Sequence, residues 1–374
     1  MEPTWLAAAL DPPRAHGAPL ARGTLRTEPE DFVVEEDLGF TASGAGQHVL
    51  LKVRKRNANT QWVSRELAKL CGCHPRDVGY AGLKDRRAIA VQWFTVPKSP
   101  LSLEAWLEVR HPEFDVLEAN AHSRKLPRGA LAGNHFIIRV RDIDVADADL
   151  NARTSEIGQR GVPNYFGPQR FGHGGANLAR ISDGLRALHP RERGFVLSAA
   201  RSLVFNAVLA ARVRDGAWDR LEAGDIANLD GRGSIFPVDA IDSTLTERVA
   251  QLDIHPTGPL WGRGAPATNQ RVSELETYIA GEFPQACVLT AEAGMDQERR
   301  ALRLAVRELT WHREPDAKET NASAIDANAV GSSAIVFRFR LTRGSFATTV
   351  LRELIDSDAL GDEDQEGGYP ANNT

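Results

Sequence analysis

Alternation is the first pattern the chain shows. Residues 30–36 (EDFVVEE) and 48–53 (HVLLKV) are rich in β-branched and apolar side chains, and residues 135–142 (HFIIRVRD) repeat the theme. On an extended backbone successive side chains face opposite ways, so each segment predicts a strand with one buried face. Thr60 is placed to cap a helix in which Trp62 or Val63, Leu67 and Leu70 recur at helical spacing until Pro75 ends it. Residues 88–96 then alternate toward Val91, Trp93 and Thr95 in strand fashion.

From about Gly161 the texture changes. Residues 196–218 (VLSAARSLVFNAVLAARVRDGAW) predict a long helix with Leu197, Leu203 or Val204, Val208 and Ala211 on one stripe. A glycine-punctuated stretch follows (AGDIANLDGRGSIF), and residues 290–309 (TAEAGMDQERRALRLAVREL) predict a second helical region. A strand pattern returns at 333–341 (SAIVFRFRL), ahead of the helix-like SFATTVLRELI. Strands gathered in clusters, rather than alternating singly with helices, give an α+β class. The expected organisation is a first domain over 1–159, an inserted domain over 160–318 and a return segment over 319–356. Residues 357–374 make a polar, acidic tail with the composition of disordered chain.

At 374 residues and 42% hydrophobic content the chain can bury two cores. The first twenty residues offer only a short apolar stretch, ended by Asp11, Pro12 and Pro13, which predicts no signal peptide. Nor does any apolar run approach the roughly twenty residues of a membrane span, so a soluble, cytoplasmic protein is expected. Three cysteines, Cys71, Cys73 and Cys287, suit a reducing compartment. The net charge of −5 is set by six acids from Asp356 onward, where there is no Lys or Arg. Elsewhere arginine clusters: residues 121–141 hold Arg124, Lys125, Arg128, Arg139 and Arg141 with no acid, and residues 151–212 hold nine arginines against three acids. These are candidate stripes for phosphate contact.

The candidate chemistry centres on residues 79–96 (GYAGLKDRRAIAVQWFTV). Two glycines precede Lys84, Asp85, Arg86 and Arg87, which sets Asp85 at a bend between extended pieces. A carboxylate among cations serves as nucleophile, electrostatic stabiliser or metal ligand, and in isolation it also fits a solvated turn. Other motifs carry less. His173, Gly174 and Gly175 lack an accompanying GxSxG elbow, and Cys71, Cys73 and His74 lack a fourth ligand at zinc spacing. A Walker A loop and HExxH are both absent.

The string GLKDRRAIAVQ from Gly82 resembles the active-site segment of the TruD family of pseudouridine synthases. Five further blocks resemble that family in the same order: TEPEDFVVEEDLGF from Thr27, HSRKLPRGALAGNHF from His122, GVPNYFGPQRFGHGGANL from Gly161, LSAARSLVFNAVLAARV from Leu197 and LTRGSFATTVLREL from Leu341. The resemblance implies a pseudouridine-synthase-like catalytic domain with a mixed or antiparallel sheet, interrupted by a TruD-specific α+β insertion. It implies isomerisation of a uridine in transfer RNA, at position 13, by Asp85. No metal or other cofactor is implied. Phe32, Asn134 and Phe346 match pocket positions, Phe136 resembles a pocket aromatic, and Arg26 is placed to pair with Asp85. Singly, the three phenylalanines would pass for core residues, Asn134 for a turn and Arg26 for a surface cation. A non-enzymatic RNA-binding factor and a metal-dependent phosphoesterase are the competing classes. Ala90 and Val91 depart from the family pattern, which often has a polar residue there.

Overall fold

The computed structural model describes residues 4–98, 100–315 and 333–357. The expected acidic tail lies outside these residues from position 358 on. A ten-stranded mixed sheet dominates the fold. Its main path runs Arg307–Pro315, Ser333–Thr342, Gly133–Arg141, Phe32–Asp37, Ile89–Pro97, His48–Arg56, Phe114–His122, Arg110–His111. Along this path all neighbours are antiparallel except the central pair, Phe32–Asp37 with Ile89–Pro97, in which Val33 lies beside Ile89.

Register decides which residues share a face. Phe32, Val34 and Glu36 stand opposite Ile138, Phe136 and Asn134, and Phe136 stands opposite Phe339. These side chains line the covered face, which carries two apolar clusters. One joins Phe32, Phe136, Phe337 and Leu341 to Leu150 and Ile157 of the helix Asp147–Arg160, and to Val350 and Leu351 of the helix Ala347–Leu351. The other joins Leu51, Val53 and Phe94 to Val63 and Leu67 of the helix Thr60–Cys71. Each such side chain contributes about 1.5–3 kcal/mol on burial. The opposite face carries ion pairs between strands, Lys52 with Glu35 at 2.8 Å and Arg340 with Asp37 at 2.7 Å.

Three expectations change here. The helix cap is Asn59, whose side chain accepts from the Gln61 and Trp62 amides, and Thr60 is the first helical residue. Leu70, placed on the apolar stripe, is exposed; the next buried position after Leu67 and Ala68 is Cys71. The helix expected over 290–309 ends at Glu292, and the chain continues as strands Glu298–Ala301, Arg303–Leu304 and Arg307–Pro315.

Residues 165–302 build further cores around the helix Pro190–Arg214. Its length and hydropathy would suffice to cross a membrane, so the sequence expectation of no such segment fails, but 78% of its most apolar window is buried in the protein. A four-stranded sheet, in the order Ile235–Pro237, Ile226–Leu229, Ile254–Leu260, Glu298–Ala301, and the helices Gln270–Gly281 and Pro284–Glu292 complete this part. The chain leaves the large sheet through Val162–Pro163 and returns through Arg303–Leu304, and these two pieces pair with each other. Gly161 has φ +75°, and a Cβ there would sit 2.4 Å from the Leu304 carbonyl oxygen, so this crossing requires glycine.

Candidate active site

Parallel pairing explains how residues 59 positions apart in sequence meet. It sets the N-terminal ends of Phe32–Asp37 and Ile89–Pro97 at the same edge, so the segments preceding them lie side by side. Arg26 comes from one and Asp85 from the other. The Arg26 Nη2 donates to Asp85 Oδ2 at 3.0 Å, and its guanidinium carbon lies 4.4 Å from the centre of the Phe32 ring. Arg26 holds a left-handed backbone, φ +58°, to aim this way. Phe32 packs edge-on against Phe136 at 6.1 Å, and Phe136 stacks on Phe339 at 5.4 Å. The carboxylate is therefore tethered by a cation that itself rests on an aromatic wall.

The loop bearing Asp85 is fixed through its backbone. Lys55, fully buried, donates from Nζ to the carbonyl oxygens of Ala58 at 2.7 Å, Asp85 at 2.8 Å and Lys84 at 3.4 Å. The Thr60 hydroxyl accepts from the Lys84 amide at 3.1 Å and donates to Gln92 Oε1, while Gln92 Nε2 donates to the Gly82 carbonyl at 2.7 Å. Lys84 Nζ lies 2.9 Å from Oε1 of buried Glu36, whose other oxygen accepts from the Trp93 amide. Glycine is not what bends the loop. Gly79 and Gly82 both avoid positive φ; Gly79 is needed because a Cβ would meet Thr95 Oγ1 at 2.4 Å, and around Gly82 there is open space.

Asn134 stands opposite Glu36, one inward position from Phe136. It is 7% exposed, and its Oδ1 is closed off from solvent with no hydrogen-bond partner. Phe346 is half-buried at the start of the helix Ala347–Leu351. Its loop follows Thr342, which pairs with Gly133, and the Arg343 amide donates to the Ala132 carbonyl, so it is brought to the Asn134 end of the sheet. Direct contacts thus join Arg26, Asp85, Phe32 and Phe136, while Asn134 and Phe346 are located by strand register and chain path.

A model of the family described as tRNA pseudouridine synthase D (TruD) matches residues 15–182 and 176–354. The chain belongs to the TruD family. The tRNA pseudouridine synthase D of Methylococcus capsulatus is 42% identical over 355 residues, covering 94% of this chain and 96% of its own. Its counterpart in Nitrosococcus oceani is 41% identical over 342 residues, covering 90% and 91%. The crystal structure of a Methanosarcina mazei protein assigned to tRNA pseudouridine synthase D shares the fold, with a TM-score of 0.70 at 22% identity over 95% of this chain and 98% of that one.

In this TruD chain a groove of about 600 Å³ adjoins the Asp85 loop at its Gly79–Tyr80 base but does not include Asp85. Exposed Arg65, Arg76, Lys125 and Arg128 line it, and Arg128 stacks 3.6 Å from the centre of the Tyr80 ring. The expected arginine stripes divide. Arg139 and Arg141 are engaged by buried Asp31 on the other face of the sheet, and Arg201 and Arg212 are interior, paired with Glu298 and Asp225. Pairing with acids inside the protein, not contact with phosphate, accounts for those four. Sequence reasoning missed Lys55, Glu36 and Gln92. Each occupies the inward phase of a strand otherwise filled by apolar residues, and that break in pattern was the available signal.

Proposed function

We propose that this tRNA pseudouridine synthase acts through Asp85 on a uridine extruded from transfer RNA, at position 13. The observation that carries the reading is the Asp85 carboxylate tethered by Arg26 above Phe32 and Phe136. Isomerisation breaks the bond between ribose C1′ and uracil N1, turns the ring, forms a bond from C1′ to C5, and moves the C5 proton to N1 by way of base and solvent. No atom is lost, and no electron donor enters. A carboxylate suits attack at C6, attack at C1′ or removal of a sugar proton. With 31% of its side chain exposed, Asp85 is reachable by a nucleotide presented from outside.

Extruding a stacked base costs a few kcal/mol. Aromatic contact in the pocket returns about 1–3 kcal/mol per base. Phe346, half-buried and at the same end as Asn134, is the aromatic available to the base, while Phe32 and Phe136 form the wall beneath. The unpartnered Asn134 Oδ1 suits the N3–H of uracil, a donor that cytosine lacks. The basic groove under Tyr80 supplies sequence-independent attraction for the phosphate backbone. On this reading the catalytic domain is the large sheet with its helices, and the insertion is the part that leaves at Val162 and returns at Leu304.

The test is direct. Incubated with unmodified transfer RNA, the wild-type protein is expected to yield pseudouridine at one mapped position, and Asp85→Asn to yield none while binding the RNA within about twofold of wild type. Turnover persisting in Asp85→Asn defeats the assignment.

A further inference from the structure

Buried arginines in residues 164–303 are, with one exception, matched to acids. Arg201 Nη1 meets Glu298 at 2.8 Å, Arg212 Nη2 meets Asp225 at 2.9 Å and Arg299 Nη2 meets Glu276 at 2.7 Å. Arg303 is the exception, and it is saturated instead by the carbonyl oxygens of Asp219, Val249 and Ile254 and a ring nitrogen of His255. Arg170 and Arg300, both half-buried, follow neither rule. Arg170 donates to the Ser198 hydroxyl at 2.9 Å. Arg300 Nη2 donates to Asn164 Oδ1 at 2.8 Å and to the Gly344 carbonyl at 3.4 Å, and its Nε is sealed from solvent with no partner. Among the described residues no carboxylate touches either one.

The two guanidinium groups share an aromatic support. Their central carbons lie 5.1 Å and 4.4 Å from the centre of the Phe166 ring, Arg170 and Arg300 respectively. Burial, with Arg170 close by, pushes Arg300 down to about 10. Two like charges held together without an acid are expensive, and a fold that keeps them leaves room for an anion from outside. A guanidinium offers five N–H donors in a planar fork that matches phosphate oxygens, and here few are used within the protein. Gly344, which accepts from Arg300, is two residues before Phe346. The pair therefore lies beside the loop assigned to the uridine pocket.

We propose that Arg170 and Arg300, braced on Phe166, form a binding site for a phosphodiester group of the RNA next to the extruded nucleotide. The inference rests on the reading of this protein as an RNA-modifying enzyme, and it assigns the loop Asn164 to Arg170 an RNA-anchoring role. Free inorganic phosphate presents the same chemistry, so the experiment carries an arm for each source.

Transfer RNA affinity is measured from low to moderate salt for wild type, Arg170→Gln and Arg300→Gln. Each variant is expected to bind about tenfold more weakly, with the slope of log affinity against log salt shallower by about one. Arg300→Gln also loses support for Asn164 and Gly344 and can fail to fold. Arg170→Gln gives up the Ser198 bond and the stacking on Phe166 but relieves repulsion with Arg300, so its melting temperature is expected to change little. Unchanged affinity and slope in folded Arg170→Gln overturn the proposal. In the second arm inorganic phosphate is titrated while melting is followed. Stabilisation of wild type alone by phosphate, with RNA affinity unaltered in the variant, overturns the RNA assignment in favour of a free-anion site. Absence of pseudouridine from a wild-type protein that binds RNA with the full salt slope would instead defeat the catalytic reading and leave this one standing.

Discussion

Replacing Lys55 by methionine isolates the device that holds the Asp85 loop. Methionine fills the space of the lysine stem but offers no donor, so the carbonyl oxygens of Ala58 and Asp85 lose bonds of 2.7 and 2.8 Å. Charge-assisted bonds contribute about 1.5–3 kcal/mol each, and sparing an ammonium its desolvation returns part of that, so a net loss of about 2–4 kcal/mol follows. Unfolding entropy near 2.1 cal/mol/K per residue converts this to a melting temperature about 3–5 °C lower. The larger effect falls on chemistry. A displacement of about 1 Å in a reacting group costs on the order of 100-fold in rate, and the Asp85 backbone has lost its anchor. Single-turnover pseudouridine formation, measured well below both melting temperatures alongside transfer RNA affinity, should show a rate about 100-fold lower and binding within about threefold of wild type. A lower melting temperature with an undiminished rate would mean that Lys55 stabilises the fold without positioning the carboxylate, and the reasoning would fail.

Arg26→Gln removes the 3.0 Å partner of Asp85 and the cation over Phe32; the rate is expected to fall about tenfold or more with little change in RNA affinity, and an unchanged rate would separate Arg26 from the chemistry. Glu36→Gln leaves half-buried Lys84 without its counter-charge and is expected to cost about 3 kcal/mol, partly recovered when combined with Lys84→Met; simple additivity in the double-mutant melt would rule out their coupling. The third concerns pH. Burial holds His255 below its ordinary 6.5 against the opposing pull of Asp230, to which its Nε2 donates at 3.0 Å while Nδ1 accepts from Arg303. A depressed folded value means that stability is complete above about 6.5 and declines as pH falls below it. Thermal melts from pH 7.5 to 5 should therefore slope more steeply for wild type than for His255→Gln, and parallel profiles would contradict the assignment.

Much of the large sheet was legible because its strands alternate cleanly: Phe32–Asp37, Gly133–Arg141 and Ser333–Thr342 each carry apolar residues in one phase. The misread segment 298–309 shows why others were not. Glu, Arg, Ala and Leu are strong helix formers, and here tertiary pairing overrode that preference. Arginine stands at consecutive positions with different jobs, Arg299 against Glu276 and Arg300 under Asn164, so both phases of the strand look polar and period two vanishes. The pocket candidates came from ordered resemblance, since nothing in the spacing of Arg26 and Asp85 announces a parallel pair. The supports of the loop lie in the structure's interior bookkeeping: Lys55 continues the inward phase of Val49, Leu51 and Val53, and what it holds is backbone, which no side-chain pattern encodes.

The pairing of Val162 with Leu304 has an evolutionary meaning. Antiparallel partners sit about 5 Å apart, so the long excursion between them begins and ends at nearly one point on its host. Such a segment can be spliced out, lengthened or exchanged across lineages while the parent sheet keeps its path, because closing the gap takes no more than a hairpin turn. Arg170 and Arg300 both travel with the excursion, whereas Asp85 stays behind. Descent could thus retune how substrate is gripped without redrafting the reaction.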